Sequence, residues 1–133
     1  MEIFCLIILL FYVGLIFKFR FGWGKIKKQK YTGFTPSVSI VIAMRNEENK
    51  VERLLKNLRD QIYPAEKLSI ILVNDHSTDN TLNLLHKLAL DNLKIIDLAD
   101  GEHGKKDAIK KAVSVADSDI ILASDADCSF TPY

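Results

Sequence analysis

The sharpest chemical feature of the sequence is Asp125-Ala126-Asp127, which directly follows the apolar run Ile120-Ile121-Leu122-Ala123-Ser124. If extended backbone continues past that run, residues i and i+2 point the same way. The two carboxylates then converge with only a small alanine between them. Carboxylates that close repel, and each favours a cation or a proton between them. A hard divalent ion, Mg²⁺ or Mn²⁺, suits an all-oxygen pair, and magnesium sites commonly complete their shells with substrate phosphates. A solvated turn is the plain alternative. Position favours the metal, because the pair stands at the end of a strand in a regular pattern.

Other polar residues gather at comparable places. Asp75 also follows a strand-like run and could accept hydrogen bonds from a base or ribose; an Asx-turn or a helix cap is the competing role. Asp79 reads as a cap or turn residue. Gly104 and Lys105 open a helix, whose N–H groups attract anions, although from the residues alone Lys105 reads as a solvated lysine. Arg45, Asn46, Glu47 and Glu48 form another polar group, and Asp100, Gly101, Glu102 and His103 a further one. His76, His86 and His103 are not at metal-ligand spacing. His86 falls on a helix, and His103 lies in a candidate site loop with no catalytic role expected. Cys5 and Cys128 form no CxxC or Cys/His pattern, which argues against structural zinc and fits a reduced compartment.

The elements that must position these groups read as follows. Strands are expected over 38–43, 68–73, 93–98 and 119–124, each a continuous apolar run. Helical spacing runs over 46–62, with Val51, Leu54, Leu55, Leu58 and Ile62 inward and Pro64 as the stop. A second helix carries Leu82, Leu85, Leu88 and Ala89 after N-cap chemistry at Ser77 to Asn80. A third spans 104–116, with Ala108, Ile109, Ala112, Val113 and Ala116 inward. The order βαβαβαβ with continuous apolar strands implies an α/β fold: a mostly parallel sheet, helices on both faces and right-handed crossovers. Ligands of such sheets bind beyond the carboxyl ends of the strands, at the point where strand order reverses. The loops to watch are therefore 43–47, 74–79, 99–105 and 125–129.

The chain has 133 residues, enough for one domain of ordinary size. Hydrophobic residues make up 48% and charged residues 26%, which excludes a disordered chain. A net charge of +1 argues against nucleic acid as a partner. The balance conceals an asymmetry: residues 1–30 hold six bases against Glu2, whereas residues 31–133 hold 12 bases and 16 acids. Residues 3–17 are uncharged and apolar, a short but sufficient start for a membrane span. No positive leader precedes them and no small-x-small cleavage site follows, which argues against a signal peptide. No polar stripe marks them as a soluble helix. We assign 1–21 as a transmembrane anchor, 22–37 as a basic juxtamembrane linker and 38–133 as the globular domain. The cluster Lys18, Arg20, Lys25, Lys27, Lys28 and Lys30 then places the globular part in the cytoplasm, as a single-pass membrane protein.

Four stretches taken together, VSIVIAMRNEE (38–48), IILVNDHSTDNT (70–81), GKKDAIKKA (104–112) and IILASDADC (120–128), resemble family 2 glycosyltransferases of the GT-A fold. The resemblance covers about residues 36–133. It implies a Rossmann-like half that binds a nucleotide-diphosphate sugar, and an inverting, metal-dependent transfer to a lipid or saccharide acceptor. It implies donor contacts from Ala43, Arg45, Glu47, Asp75, Lys105 and Asp125, with Asp125 and Asp127 holding Mg²⁺ or Mn²⁺. Ala43 stands where the family often has proline. The family's general base and acceptor half come later than residue 133, so no base is nominated; Asp100 and Glu102 would be guesses. The expectation is a partial domain that binds donor weakly and does not turn over by itself. Three other readings compete. A nucleotidyltransferase should carry a glycine-rich turn after the first strand, and Ala-Met-Arg-Asn-Glu has none. A receiver-like signalling module should carry its acidic pair after the first strand, where Arg45 and Asn46 stand. A non-catalytic remnant that binds nucleotide sugar is the third.

Overall fold

The apolar runs form four parallel strands: β1 (Val38–Met44), β2 (Leu68–Asn74), β3 (Leu93–Asp97) and β4 (Ile120–Asp125). A computed structural model describes residues 2–25 and 33–132 of the chain. The strands are hydrogen-bonded in the order β3-β2-β1-β4. The chain thus builds outward from β1 through β2 to β3, then returns to place β4 on the other side of β1. Strand order reverses between β1 and β4, which makes their carboxyl ends the crevice of the sheet.

Alternation along the strands sorts the core into two layers. Ile40, Ile42, Met44, Ile70 and Leu72 face α2 (Glu48–Arg59) and α3 (Thr81–Lys87), meeting Val51, Leu54, Leu55, Leu58 and Leu85. Val41, Ile71 and Val73 face the other way and meet Leu98 and the small Ala108 and Ala112 of α4 (Gly104–Val115). Burial on both faces explains why β1 and β2 lack polar alternation.

The structure differs from the sequence reading at several ends. α2 begins at Glu48 because Asn46 takes a left-handed φ of 54° that no helix accommodates. It stops at Arg59, and Ile62, expected on its inner face, is exposed. α3 is shorter than expected, so Leu88 and Ala89 lie beyond it. β4 is as apolar as β1, yet Ile120, Ile121 and Leu122 are 47%, 39% and 48% exposed. It is an edge strand with β1 as its one neighbour. Its start is held by Asp119, whose Oδ2 accepts hydrogen bonds from the N–H and hydroxyl of Ser37, both 2.8 Å. Those bonds hold the Asp119 carboxyl below its ordinary range.

The amino-terminal unit is separate from the globular one, the two dividing at residues 34 and 35. Its helix, α1 (Glu2–Gly24), runs past the expected boundary at residue 21. Ile3–Gly24 is long and apolar enough to cross a membrane, at about 1.5 Å of rise per residue. Lys27, Lys28 and Lys30 of the basic cluster lie outside the described residues.

Candidate functional site

The carboxyl ends of β1, β2 and β4 and the start of α4 enclose a cavity of about 260 Å³. It is lined by Ala43, Met44, Arg45, Glu47, Asp75, Lys105, Asp125, Ala126 and Asp127. All seven residues singled out from the sequence are therefore brought together, from four separate loops. Parallel register explains one of these approaches, since Ala43 stands directly opposite Asp125.

The first two loops hold each other. The Asn46 side-chain carbonyl accepts from the Thr78 N–H at 2.8 Å, and the Asn46 N–H donates to Ser77 Oγ at 3.0 Å. The Glu47 N–H donates to Thr81 Oγ1 at 2.8 Å, and the Asn80 N–H donates to Glu48 at 2.9 Å. Asp79 accepts from the Glu48 N–H at 3.2 Å and from the Thr81 N–H at 3.0 Å. That matches the capping role read for Asp79, which here serves the first turns of two helices. Burial pushes its carboxyl upward, but the Thr81 hydroxyl and N–H and the Glu48 N–H outweigh this and hold it low.

Asp75 is 4% exposed. Its Oδ2 accepts the Gly104 N–H at 3.0 Å and lies 3.7 Å from the Arg45 guanidinium. Its Oδ1 accepts from His76 Nδ1 at 3.1 Å. Burial raises the carboxyl; the His76 and Gly104 hydrogen bonds and the charges of Arg45 and His76 lower it further than burial raises it. The net effect keeps Asp75 ionised. The Asx-type bond in this loop belongs to its neighbour, where Asn74 Oδ1 accepts the Ser77 N–H at 3.3 Å. Gly104 donates from a backbone with φ of 84°, a conformation that side chains resist.

Lys105 is not the free lysine its residue type suggested. Its ammonium donates a hydrogen bond to Asp125 Oδ1. That bond, the Asp125 charge and the further charges of Asp127 and Cys128 raise the Lys105 pKa against desolvation. β4 ends at Asp125, and Ala126-Asp127 form a turn closed by the Cys128 N–H on the Asp125 carbonyl at 3.2 Å. Extended geometry therefore does not carry through Asp127, which corrects the i, i+2 argument. The turn itself, held by Arg53 Nη2 on the Asp127 carbonyl at 3.2 Å, delivers the second carboxylate to the same cavity. Glu102 lies apart from the lining, accepting from the Ala99 N–H at 3.3 Å and pairing with Lys111 at 3.9 Å. Asp100 is likewise not among the lining residues.

One constellation escaped the sequence reading. The rings of His76 and His103 lie 4.7 Å apart, tilted by 42°. Asp75, His76 and His103 offer ligand atoms within 4.8 Å of one another. Twenty-six residues separate the two histidines in the chain; the fold joins them because the end of β2 abuts the start of α4.

Residues 39–133 match the sequence pattern of Glycosyl transferase family 2. The chain belongs to that family. It is 34% identical over 103 residues to a beta-monoglucosyldiacylglycerol synthase of Nostoc sp., covering 75% of this chain and 22% of that protein. It is 34% identical over 95 residues to a 4,4'-diaponeurosporenoate glycosyltransferase of Staphylococcus aureus, covering 71% and 24%. The chain thus spans less than a quarter of the length of these two relatives. Among solved structures it resembles the mannosyltransferase PcManGT from Pyrobaculum calidifontis, in complex with GDP-Man and Mn²⁺. That similarity has a TM-score of 0.75 and 25% identity over 92% of this chain and 37% of the other. It also resembles S. aureus TarS 1-349 in complex with UDP-GlcNAc, with a TM-score of 0.58 and 30% identity over 68% and 26%. The fold is the GT-A arrangement, a parallel α/β sheet with the site at its switch point.

Proposed function

We propose that this chain is the donor-binding half of a membrane-anchored glycosyltransferase. It binds a nucleotide-diphosphate sugar with Mg²⁺ or Mn²⁺, for inverting transfer to a lipid or saccharide acceptor. The observation that carries the reading is the single cavity lined by Ala43, Arg45, Glu47, Asp75, Lys105, Asp125 and Asp127. Met44 and Ala126 add apolar surface to the same wall. A relative named as a monoglucosyldiacylglycerol synthase and one named as a 4,4'-diaponeurosporenoate glycosyltransferase support the choice of a lipid acceptor, and those named for poly-beta-1,6-N-acetyl-D-glucosamine a saccharide one.

Each residue has a task that its chemistry suits. Asp75 is ionised and presents an acceptor to the nucleoside. Arg45 is exposed beside it and meets the anionic part of the donor. Glu47, tied to Lys50 at 2.7 Å, lines the nucleoside side. Asp125 and Asp127 offer only oxygen donors, the set a hard divalent cation takes, and Lys105 already shows that Asp125 accepts a cation there. A divalent metal held by Asp125 and Asp127 would offset charge building on the leaving diphosphate. Lys105 and the amino end of α4 add positive potential on the same side. The rigid sheet beneath holds the sugar's anomeric carbon in line for attack from the opposite face. The base that activates the acceptor is assigned to none of these residues. α1 anchors the enzyme as a single membrane pass, with the basic cluster keeping the domain cytoplasmic.

The full-length protein tests this directly. It should consume a nucleotide sugar only with Mg²⁺ or Mn²⁺, and Asp127→Ala should abolish consumption while leaving the circular dichroism spectrum intact. Undiminished activity in that variant overturns the metal assignment.

A further inference from the structure

The His76–His103 pair lies outside the donor cavity lining, and nothing in the proposed transfer uses it. Its chemistry is nevertheless specific. Ionised Asp75 can only accept, so the proton of the Asp75–His76 hydrogen bond sits on His76 Nδ1. In the neutral ring the lone pair is then left on Nε2. That atom is buried and has no hydrogen-bond partner among the described residues. A buried polar atom without a partner is unfavourable. His76 also holds a left-handed φ of 52°, a conformation uncommon for residues other than glycine. A buried nitrogen without a partner, beside a second imidazole 4.7 Å away, points to a ligand.

We propose that His76 and His103 form a transition-metal site for Zn²⁺ or a similar borderline cation, separate from the carboxylate pair. His76 binds through Nε2, and His103 supplies a second imidazole from the residue before α4. Asp75 sits behind His76 as the orienting carboxylate, the arrangement that usually fixes a metal-bound imidazole. Imidazole nitrogen selects zinc over magnesium, whereas Asp125 and Asp127 favour the reverse. From the first loop, Arg45 lies 3.7 Å from the other oxygen of Asp75. Zinc there ties the loop after β2 to the start of α4, the two segments that supply Asp75 and Lys105 to the donor cavity. Bound zinc thus couples to donor affinity through Asp75.

The test uses full-length protein without a polyhistidine tag, stripped by chelator and dialysed against ZnCl₂ in excess Mg²⁺. One zinc per chain is expected. His103→Ala and His76→Asn, the latter chosen because asparagine tolerates the left-handed backbone, should each weaken binding at least tenfold. Asp75→Asn should weaken it about 10–100-fold, as loss of an orienting partner does. Asp127→Ala and Cys128→Ser should leave zinc binding unchanged. Co²⁺ should give a visible absorption band that the two histidine variants lose. Equal zinc affinity in the histidine variants, or zinc lost with Cys128→Ser or Asp127→Ala, overturns the proposal. Because magnesium-dependent donor consumption is measured separately, failure here leaves the transferase reading untouched.

Discussion

Lys105, at the start of α4, donates a hydrogen bond to Asp125, the last residue of β4, across the mouth of the cavity. The lysine thereby occupies one oxygen that a divalent cation would need. Under the proposed function its charge would both compete with the metal and attract the donor's diphosphate. Lys105→Ala should therefore split two affinities. Mn²⁺ binding without donor should strengthen several-fold, because a like charge is gone. Donor binding in saturating Mn²⁺ should weaken several-fold. Isothermal titration of each ligand checks both signs, and a variant that weakens both would show that Lys105 only positions Asp125.

Asp75 supplies a pH prediction. Its carboxyl is held below the ordinary value of 3.8 despite burial, chiefly by the His76 and Gly104 hydrogen bonds and the nearby Arg45 charge. A depressed native pKa gives stability that is full above the unfolded value, and that fades as pH falls through the native one. Urea midpoints of the wild type should hold near neutrality and decline below about pH 4, near the unfolded carboxyl value. Asp79 and Asp119 contribute to the same decline, since both are also held low. Asp75→Asn should be less stable at pH 7 and show a shallower acid slope. An unchanged slope would mean that the Asp75 contacts do not depend on its charge.

Gly104 tests the join between β2 and α4. Its φ of 84° is left-handed, and no atom crowds the position a Cβ would take. Gly104→Ala should therefore cost about 1–2 kcal/mol from backbone conformation alone. Rotation out of that conformation would also withdraw the N–H from Asp75, so donor affinity should fall with stability. Thermal melts and donor titration on the same sample read the two effects.

Much of this arrangement was legible in the sequence, for physical reasons. β1 and β2 read as strands because both of their faces are buried, and Asp75 and Asp125 read as site residues because each ends an apolar run. The residues that matched the family resemblance line one cavity. Legibility failed where local pattern and tertiary position part company. β4 has the same apolar composition as β1, yet it lies at the edge and stays exposed. Asp127 reaches the cavity by a turn rather than by the pleat. Lys105 looked solvated because its partner lies 20 residues on. The histidine pair was invisible because no short spacing encodes a contact made between a strand end and a distant helix start.

The last prediction concerns the 133-residue chain expressed by itself. Ile120, Ile121 and Leu122 present an apolar, open strand edge, the kind of surface that pairs with other chains. Among the carboxylates that line the cavity, Asp125 and Asp127 are the pair proposed above to hold the metal. Asp75 is bound to His76 and Gly104, and Glu47 is paired with Lys50. None is left to activate an acceptor. In detergent the chain should bind nucleotide sugar with Mn²⁺ more weakly than full-length protein, show no transfer, and self-associate as concentration rises. Ile121→Lys on the exposed strand should reduce that association, read by sedimentation velocity, without altering donor binding. Transfer activity from the 133-residue chain would place a base among residues given other tasks here, and Glu47 would be the first to substitute.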